Sequence, residues 1–475
     1  MSRTEIILYT LIIYKVILLG IGYYSSKRTI DSADFFLGGK RLGPWVASIS
    51  AVASASSAWT LLSLSGIAFS WGLSALWVFP GIMLGSILNW FFLAPKLQRL
   101  STKNDSITVN DILVGSSEGF WRTAILVFSS FIIVFSFSFH IASQFQGAGT
   151  TFASNFNMDA SVAIMLGGTI ILIYAILGGF WAVSITDTLQ GLLMVCTSII
   201  LPVTALFAAG GFSELWESLQ NMGDANYRSI WGSQSGIAKY GLTLGFLGVG
   251  LATLGQPHIL TRFMAIRDRS SMRQAQIIAI SWQSIVFSGM LLLGFCGKAL
   301  LVNLVNNESI FFILTDTLMP PILAGLIIAS VLSAIMSTAD SQLLVVASAI
   351  AHDLRHILKL DFLFKHQLLL LSRVVLILVC GIAMLLALYV PQDIYSRVLF
   401  AWSALGASFG PVLVIIVLDR IIKPSATFCA IFSGFSLTVF LSFMPNTPGD
   451  VLEKFLPFVI ALSIGWYGSR KNINI

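Results

Sequence analysis

Apolar runs of about twenty residues recur from one end of the chain to the other, and they limit its possible folds more than any other feature. A run of this length crosses a bilayer as a helix, because a helix bonds its own backbone polar groups and lipid offers them no partner. The runs predict thirteen spans, at 5–24, 43–70, 74–94, 121–148, 159–179, 188–210, 237–257, 275–302, 320–346, 373–390, 396–419, 424–443 and 453–468.

The composition favours the same class of protein. Hydrophobic residues make up 56% of the chain and charged residues only 10%, whereas soluble domains carry about 25% charged residues. We therefore expect one all-α transmembrane domain over residues 1–475, with the lipid bilayer as its surroundings. A water-soluble enzyme, a disordered chain and a nucleic-acid-binding protein are disfavoured.

Lysine and arginine are concentrated in alternate loops, among them 27–28, 96–103, 262–273 and 352–372. Loops on the cytoplasmic side of membrane proteins are enriched in these residues. The pattern predicts the N-terminus outside, the C-terminus inside and an odd number of spans. A twelve-span alternative stays open, because Lys15 weakens the first span.

The second and seventh spans are rich in small residues. Residues 50–58 read Ser-Ala-Val-Ala-Ser-Ala-Ser-Ser-Ala, and the seventh span has Gly248, Gly250 and Gly255 followed by Gln256-Pro257. Small residues allow close helix packing, but two interrupted spans in corresponding places also indicate an inverted-repeat transporter. Since the seventh span comes five positions after the second, we expect inverted repeats over 43–210 and 237–419.

The ninth span places Ser333, Ser337, Asp340 and Ser341 on one helical face. Hydroxyl and carboxylate oxygens are the ligands that hard cations prefer. Serine hydroxyls also bond back to their own helix, but that alternative does not account for a carboxylate that is costly inside a membrane. The stripe therefore predicts a cation site.

Three further polar residues lie within or beside apolar spans. Asp187, near the inner end of the sixth span, is either a site residue or a helix N-cap. His140 and Gln144 are one turn apart in the fourth span, and His140 is either a structural group or a ligand contact.

Five stretches together resemble the sodium:solute symporter family, in particular its proline-transporting branch. They are 35–45 (FFLGGKRLGPW), 178–188, 255–264, 336–338 and 401–411. The resemblance implies a LeuT-like inverted-repeat fold of about thirteen helices. It also implies sodium as the coupling ion, a small-molecule substrate, no organic cofactor and function as a monomer.

The resemblance also implies site residues. The main sodium site would comprise Ala53, Ser56, Ala334, Ser337 and Thr338. A second cation site, found in some relatives, would comprise Asp187, Ser337, Asp340 and Ser341. The substrate would contact Ser57, His140, Gln144, Val249 and Thr253.

Two departures from the family pattern bear on the substrate. Ala55 stands where the proline transporters carry an aspartate, and His140, Val249 and Thr253 stand where they have aromatic side chains. These differences imply a smaller or more polar pocket, so proline is in doubt as the substrate.

We therefore predict a secondary active transporter, not an enzyme, in the bacterial inner (plasma) membrane. It would take up a small organic solute, an amino acid or related organic acid, with sodium by alternating access. A proton-coupled symporter of the same fold and a membrane sensor without transport are the alternatives.

Overall fold

The computed structural model describes residues 1–26, 37–156, 158–177, 179–222, 224–301, 304, 306–353, 365–390, 393–445 and 447–471. Three residues of the family-like stretches, Phe35, Phe36 and Gly178, lie outside the described residues, as does 354–364 of the predicted inner loop.

Helices form most of the described chain, and each predicted span overlaps at least one of them. The helices are α1 (Arg3–Ser26), α2 (Pro44–Ala55), α3 (Leu64–Trp71), α4 (Val78–Ile87), α5 (Ala94–Asn104), α6 (Val109–Val114), α7 (Gly119–Phe156), α8 (Ala160–Leu177), α9 (Phe180–Ala208), α10 (Phe212–Asn221), α11 (Ala225–Arg228), α12 (Ala238–Ala252), α13 (Pro257–Ala265), α14 (Arg269–Leu300), α15 (Ile310–Leu318), α16 (Pro321–Ser348), α17 (Lys365–Tyr389), α18 (Ile394–Val417), α19 (Pro424–Leu441), α20 (Val451–Lys454) and α21 (Leu456–Tyr467). Two short antiparallel strands, β1 (Arg420–Ile422) and β2 (Ser469–Lys471), pair with each other.

Within the described residues, nine helical segments are long and apolar enough to cross a bilayer. The number of thirteen spans and the orientation of the termini stay predictions. Several helix boundaries differ from the predicted ones, and one of them bears on a candidate site residue: α9 begins at Phe180, with Gly179 as its N-cap, rather than at residue 188. Asp187 therefore lies two turns inside the helix, and its interpretation as an N-cap is wrong.

The expected interruption of the second span is confirmed. Helix α2 ends at Ala55, and Ser56 adopts an extended conformation with φ −97° and ψ 94°. A π-helical turn, Trp59–Ser63, then leads into α3. The small side chains let neighbouring helices approach closely, and the break exposes backbone groups inside the protein.

The seventh span is broken as well. Helix α12 gives way to a 3₁₀ turn at Thr253–Gly255, Gln256 is extended, and α13 starts at Pro257. Proline suits this first helical position, because its fixed φ matches the helix and its missing N–H would have had no partner there.

Loops predicted to be cytoplasmic lie on one side of the molecule. Leu42 and Ile266 form a parallel bridge, Lys96 Nζ lies 2.8 Å from Asp419 Oδ2, and strand pairing joins Arg420 to Lys471. Arg262, which the charge pattern placed in this basic group, is instead completely buried.

The broken second span lies at the centre of the packing. Helix α2 contacts α9, α13, α14 and α16, while α16 also contacts α1, α7 and α9. This arrangement brings the break in the second span against the polar stripe of the ninth span.

Candidate ion and solute sites

Three residues of the predicted main sodium site meet at the break in the second span. Ser337 Oγ lies 3.2 Å from the carbonyl oxygen of Ala53 and 3.1 Å from that of Ala334. The hydroxyl of Thr338 is buried and has no hydrogen-bond partner among the described residues. Neutral oxygen atoms from α2 and α16 thus converge, as a hard cation requires.

The position of the break explains why the carbonyl oxygen of Ala53 can take a further ligand. The last four carbonyl groups of a helix lack the usual partners four residues ahead. Ala53 is one of these residues in α2, and its carbonyl accepts a bond from the Ser56 N–H, three residues ahead, at 3.1 Å. The contact of Ser337 with Ala334 is a hydrogen bond within α16, which is the alternative considered above for the serines of the ninth span. The contact with Ala53 is additional and joins α16 to α2.

Asp187 and Arg262 form an ion pair that is completely buried. Arg262 Nη2 donates to Asp187 Oδ2 at 3.1 Å, and the same carboxylate oxygen accepts a bond from Ser50 at 2.8 Å. Arg262 also donates to Ser341 and to the carbonyl oxygen of His258. The guanidinium therefore contacts two residues of the predicted second cation site, Asp187 and Ser341, and Ser341 also donates to Asp187 Oδ2 at 3.4 Å.

The sequence reasoning missed the pairing of Arg262 with Asp187. A signal was present, since a carboxylate inside a membrane requires a partner and Arg262 belongs to a family-like stretch. The charge pattern alone assigned Arg262 to a loop, because the sequence does not distinguish a basic residue at the end of a span from one in the adjoining loop.

Asp340 is buried but lacks such a partner. Only 2% of its surface is exposed, and neither carboxylate oxygen has a hydrogen-bond donor among the described residues. Asp187, Arg262 and Lys15 are close enough to act on it electrostatically. The structure thus places Asp340 next to the Asp187–Arg262 pair without making it part of that pair.

Gln144 and His140 belong to the same polar region. Gln144 Oε1 accepts a bond from the backbone N–H of Ala58 at 3.1 Å, which satisfies one group freed by the break. His140 Nδ1 lies 2.8 Å from Gln342 Nε2. Its other nitrogen, Nε2, is buried with no partner in the described part of the chain.

Trp402 joins the remaining predicted solute contacts. Its indole N–H donates to the carbonyl oxygen of Val249 at 3.2 Å, and its ring lies 6.1 Å from that of His140. His258 completes an aromatic cluster, with its ring 6.0 Å from Trp402. Thr253 lies in the broken seventh span, as Val249 does. It is buried, and its hydroxyl has no partner among the residues described.

On the opposite side from the basic loops, Glu308 contacts the second span beyond its break. Ser63 donates to Glu308 Oε1 at 2.6 Å. Burial raises the pKa of Glu308 to about 6, although the hydrogen bond from Ser63 acts to lower it. The charge on this loop contact therefore changes near pH 6.

A further cluster of polar side chains lies on the side of the basic loops. Ligand atoms of Asp111, His352 and Asp353 all lie within 4.8 Å of one another. Both oxygens of Asp353 already accept bonds, from Thr108 and from Asn110, each at 2.7 Å. Through these bonds the cluster links α6 to the end of the ninth span, and we interpret it as structural.

A model of the sodium:solute symporter family matches residues 35–432. The chain belongs to this family. It is 33% identical over 416 residues to the osmoregulated proline transporter OpuE of Bacillus subtilis, covering 86% of this chain and 83% of the relative. It is also 33% identical over 432 residues to the sodium/proline symporter of Escherichia coli, covering 88% of this chain and 83% of that protein.

Solved structures show the same fold. A sodium-coupled sialic acid symporter in a substrate-bound outward-open state aligns over 98% of this chain and 99% of its own, with a TM-score of 0.79 and 21% identity. MhsT in complex with L-phenylalanine aligns over 89% of this chain and 98% of its own, with a TM-score of 0.54 and 14% identity. The predicted LeuT-like fold is confirmed.

Family membership also confirms the predicted activity class. The protein is a sodium-coupled symporter for a solute and an integral, multi-pass protein of the bacterial plasma membrane. The identity of the solute and the residues that bind it are separate questions.

The buried ion pair leads to a stability prediction. Arg262→Met leaves the Asp187 carboxylate buried and unpaired, so we expect a loss of about 3–5 kcal/mol in stability. The double variant Asp187→Leu/Arg262→Met removes both charges and should recover most of that loss. Thermal unfolding of the purified protein in nanodiscs measures both effects.

Arg267→Met is the matched control, because Arg267 pairs with Asp268 at the surface. Its effect should stay within about 1 kcal/mol. A double variant that is no more stable than Arg262→Met alone would contradict the interpretation.

Proposed function

We propose that the protein takes up an amino acid or a related small organic acid as a monomer. In this proposal one sodium ion binds to the carbonyl oxygens of Ala53, Ser56 and Ala334 and to the hydroxyls of Ser337 and Thr338. The observation that carries it is the contact of Ser337 with Ala53 at the break in the second span. A sodium ion there would join α2 to α16.

The same break supports coupling between ion and solute. Gln144 bonds to Ala58, two residues beyond Ser56, and its neighbour His140 presents an unpartnered nitrogen among the described residues. Ion and solute would therefore contact adjacent parts of one unwound segment. Sodium that orders this segment would raise the affinity for solute, and solute would raise the affinity for sodium by the same factor.

One sodium ion is sufficient to drive accumulation. One charge that moves through about 100 mV contributes about 2.3 kcal/mol, and a tenfold sodium gradient adds about 1.4 kcal/mol. The sum of about 3.7 kcal/mol corresponds to a solute ratio of several hundred.

For the solute we propose a pocket formed by Ser57, His140, Gln144, Val249 and Thr253. Three of these residues carry buried polar atoms that lack a partner in the described chain: the hydroxyls of Ser57 and Thr253 and Nε2 of His140. Gln144 and the carbonyl of Val249 are held by bonds to Ala58 and Trp402. The pocket thus offers polar contacts on a rigid frame.

We also propose a second cation at Asp187, Ser337, Asp340 and Ser341. Arg262 compensates the charge of Asp187, so the requirement for a further cation rests on Asp340. Its two oxygens have no hydrogen-bond donor and no ion pair within the described residues, and a buried carboxylate that lacks direct partners is costly. Sodium would occupy this site, with a proton as the alternative.

The main site predicts a change in sodium dependence. Ser337→Ala or Thr338→Ala removes one oxygen ligand, so each should raise the sodium concentration for half-maximal uptake by about tenfold or more. Uptake of labelled solute into proteoliposomes measures it, with Ser330→Ala as a control, because Ser330 donates only to its own helix at Ile327. Unchanged sodium dependence in both variants would rule out this assignment.

The pocket predicts a substrate preference. A panel of amino acids and organic acids in the same assay should show proline as a weak substrate or none, and His140→Ala should change the order of preference. Micromolar competition by proline against every other solute would contradict this. If sodium binds but no solute is taken up, the sensor alternative is favoured instead.

The second cation predicts a coupling ratio. Wild-type protein should move two cations per solute, and Asp340→Ser should move one while it still transports. Reversal potentials in proteoliposomes give the ratio. A wild-type ratio of one, unaffected by pH and by this substitution, would leave Asp340 as a structural residue.

A further inference from the structure

Helix α1 is joined by polar contacts to α15, to the linker before α16 and to α16 itself. Arg3 donates to Asp316 of α15 and to the carbonyl oxygen of Met319 in the linker, and the hydroxyls of Tyr14 and Ser333 lie 2.7 Å apart. A second contact to α16 is made by Lys15. The first span is therefore a fixed neighbour of the ion-binding helix.

Lys15 points toward the ninth span rather than only toward lipid. Its ammonium donates to Met336 Sδ at 2.7 Å, and a thioether is a weak acceptor. Met336 is one helical turn from Asp340, so the two side chains share a face of α16. Asp340 is the acid whose charge acts on Lys15 among the described residues.

The rest of the surroundings of Lys15 is apolar. The residue lines a cavity of about 390 Å³ between α1, α7, α8 and α16, whose other walls include Leu11, Phe152, Ile335 and Met336. Such a groove offers an ammonium no counter-charge. Neither Lys15 nor Asp340 forms an ion pair within the described residues. The charge of Asp340 acts on Lys15, and the charges of Lys15 and Arg262 both act on Asp340.

Among the described residues, the buried acidic and basic side chains around Asp340 are equal in number. Arg262 pairs with Asp187, and Lys15 contacts α16 one turn from Asp340, so with all four side chains charged this region is neutral without a bound ion. An added cation would leave one uncompensated positive charge in a low-dielectric region, unless Lys15 withdraws from Asp340. A long lysine side chain can withdraw along a helix toward the interface.

We propose that Lys15 is a tethered counter-ion that exchanges with the second cation at Asp340. The inference rests on the second cation site proposed above and names the residue that sets its affinity. Lys15 competes with sodium for the carboxylate, and its withdrawal keeps the region neutral when sodium binds. The first span thereby determines how readily the second ion is loaded.

The test is binding of ²²Na⁺ to purified protein in nanodiscs, measured as stoichiometry and half-saturation, which requires no knowledge of the solute. Lys15→Met removes the competitor and should lower the half-saturating sodium concentration of the second site by about tenfold or more. Lys15→Gln serves as a second neutral variant in case Lys15→Met does not fold. In the Asp340→Ser background neither substitution should change sodium binding further.

Two control variants test whether the change in sodium binding arises at the second site. Ile13→Met changes the lipid-facing side of the same helix, where Ile13 is 61% exposed, and should leave sodium binding as in wild type. Thr338→Ala should weaken the main site and leave the response to Lys15→Met intact.

The outcomes separate this inference from the proposed coupling ratio. If wild type binds one sodium ion and Lys15→Met binds two, the inference is supported and the proposed wild-type ratio of two cations per solute is contradicted. Equal sodium binding in wild type and both Lys15 variants would overturn the inference. So would an effect of Lys15→Met that persists in the Asp340→Ser background.

Discussion

A helix that breaks inside a membrane must find new partners for its freed backbone groups, and this requirement organises the protein. Lipid provides none, and each unsatisfied group costs several kcal/mol. In the second span, Gln144 satisfies the N–H of Ala58 and Ser337 contacts the carbonyl of Ala53. The break is therefore stable only where the fourth and ninth spans meet it, and the same polar atoms can serve an ion and a solute.

Buried charge is the second constraint, and pairing meets it in one place. Asp187 and Arg262 come from α9 and α13, which are distant in sequence and become neighbours through their packing around α2. Asp340 has no ion pair among the described residues, and Lys15 of the first span contacts its helix one turn away. A transporter that moves cations past such groups has to keep their charges balanced at each step, since the surrounding dielectric is low.

Much of the architecture was predictable from the sequence, because membrane insertion leaves local signals. Apolar length predicted the helices, and small residues beside Gln256-Pro257 predicted a broken seventh span. The family-like stretches then implied which residues bind sodium, and three of those meet in space. Asp187 as an N-cap was wrong, since the start of α9 depends on packing at Phe180 and Gly179 and not on the preference of aspartate for helix ends.

The sequence by itself determined that the chain is a bundle of membrane helices with two interruptions and an acidic, hydroxyl-rich ninth span. These properties depend on hydrophobic length and residue type, which act locally. Only the tertiary structure decided that Arg262 is buried against Asp187, that Gln144 caps the broken helix and that Lys15 faces the ninth span. Each of these contacts joins residues more than 70 positions apart, and no local pattern records which distant side chain will satisfy a buried polar group.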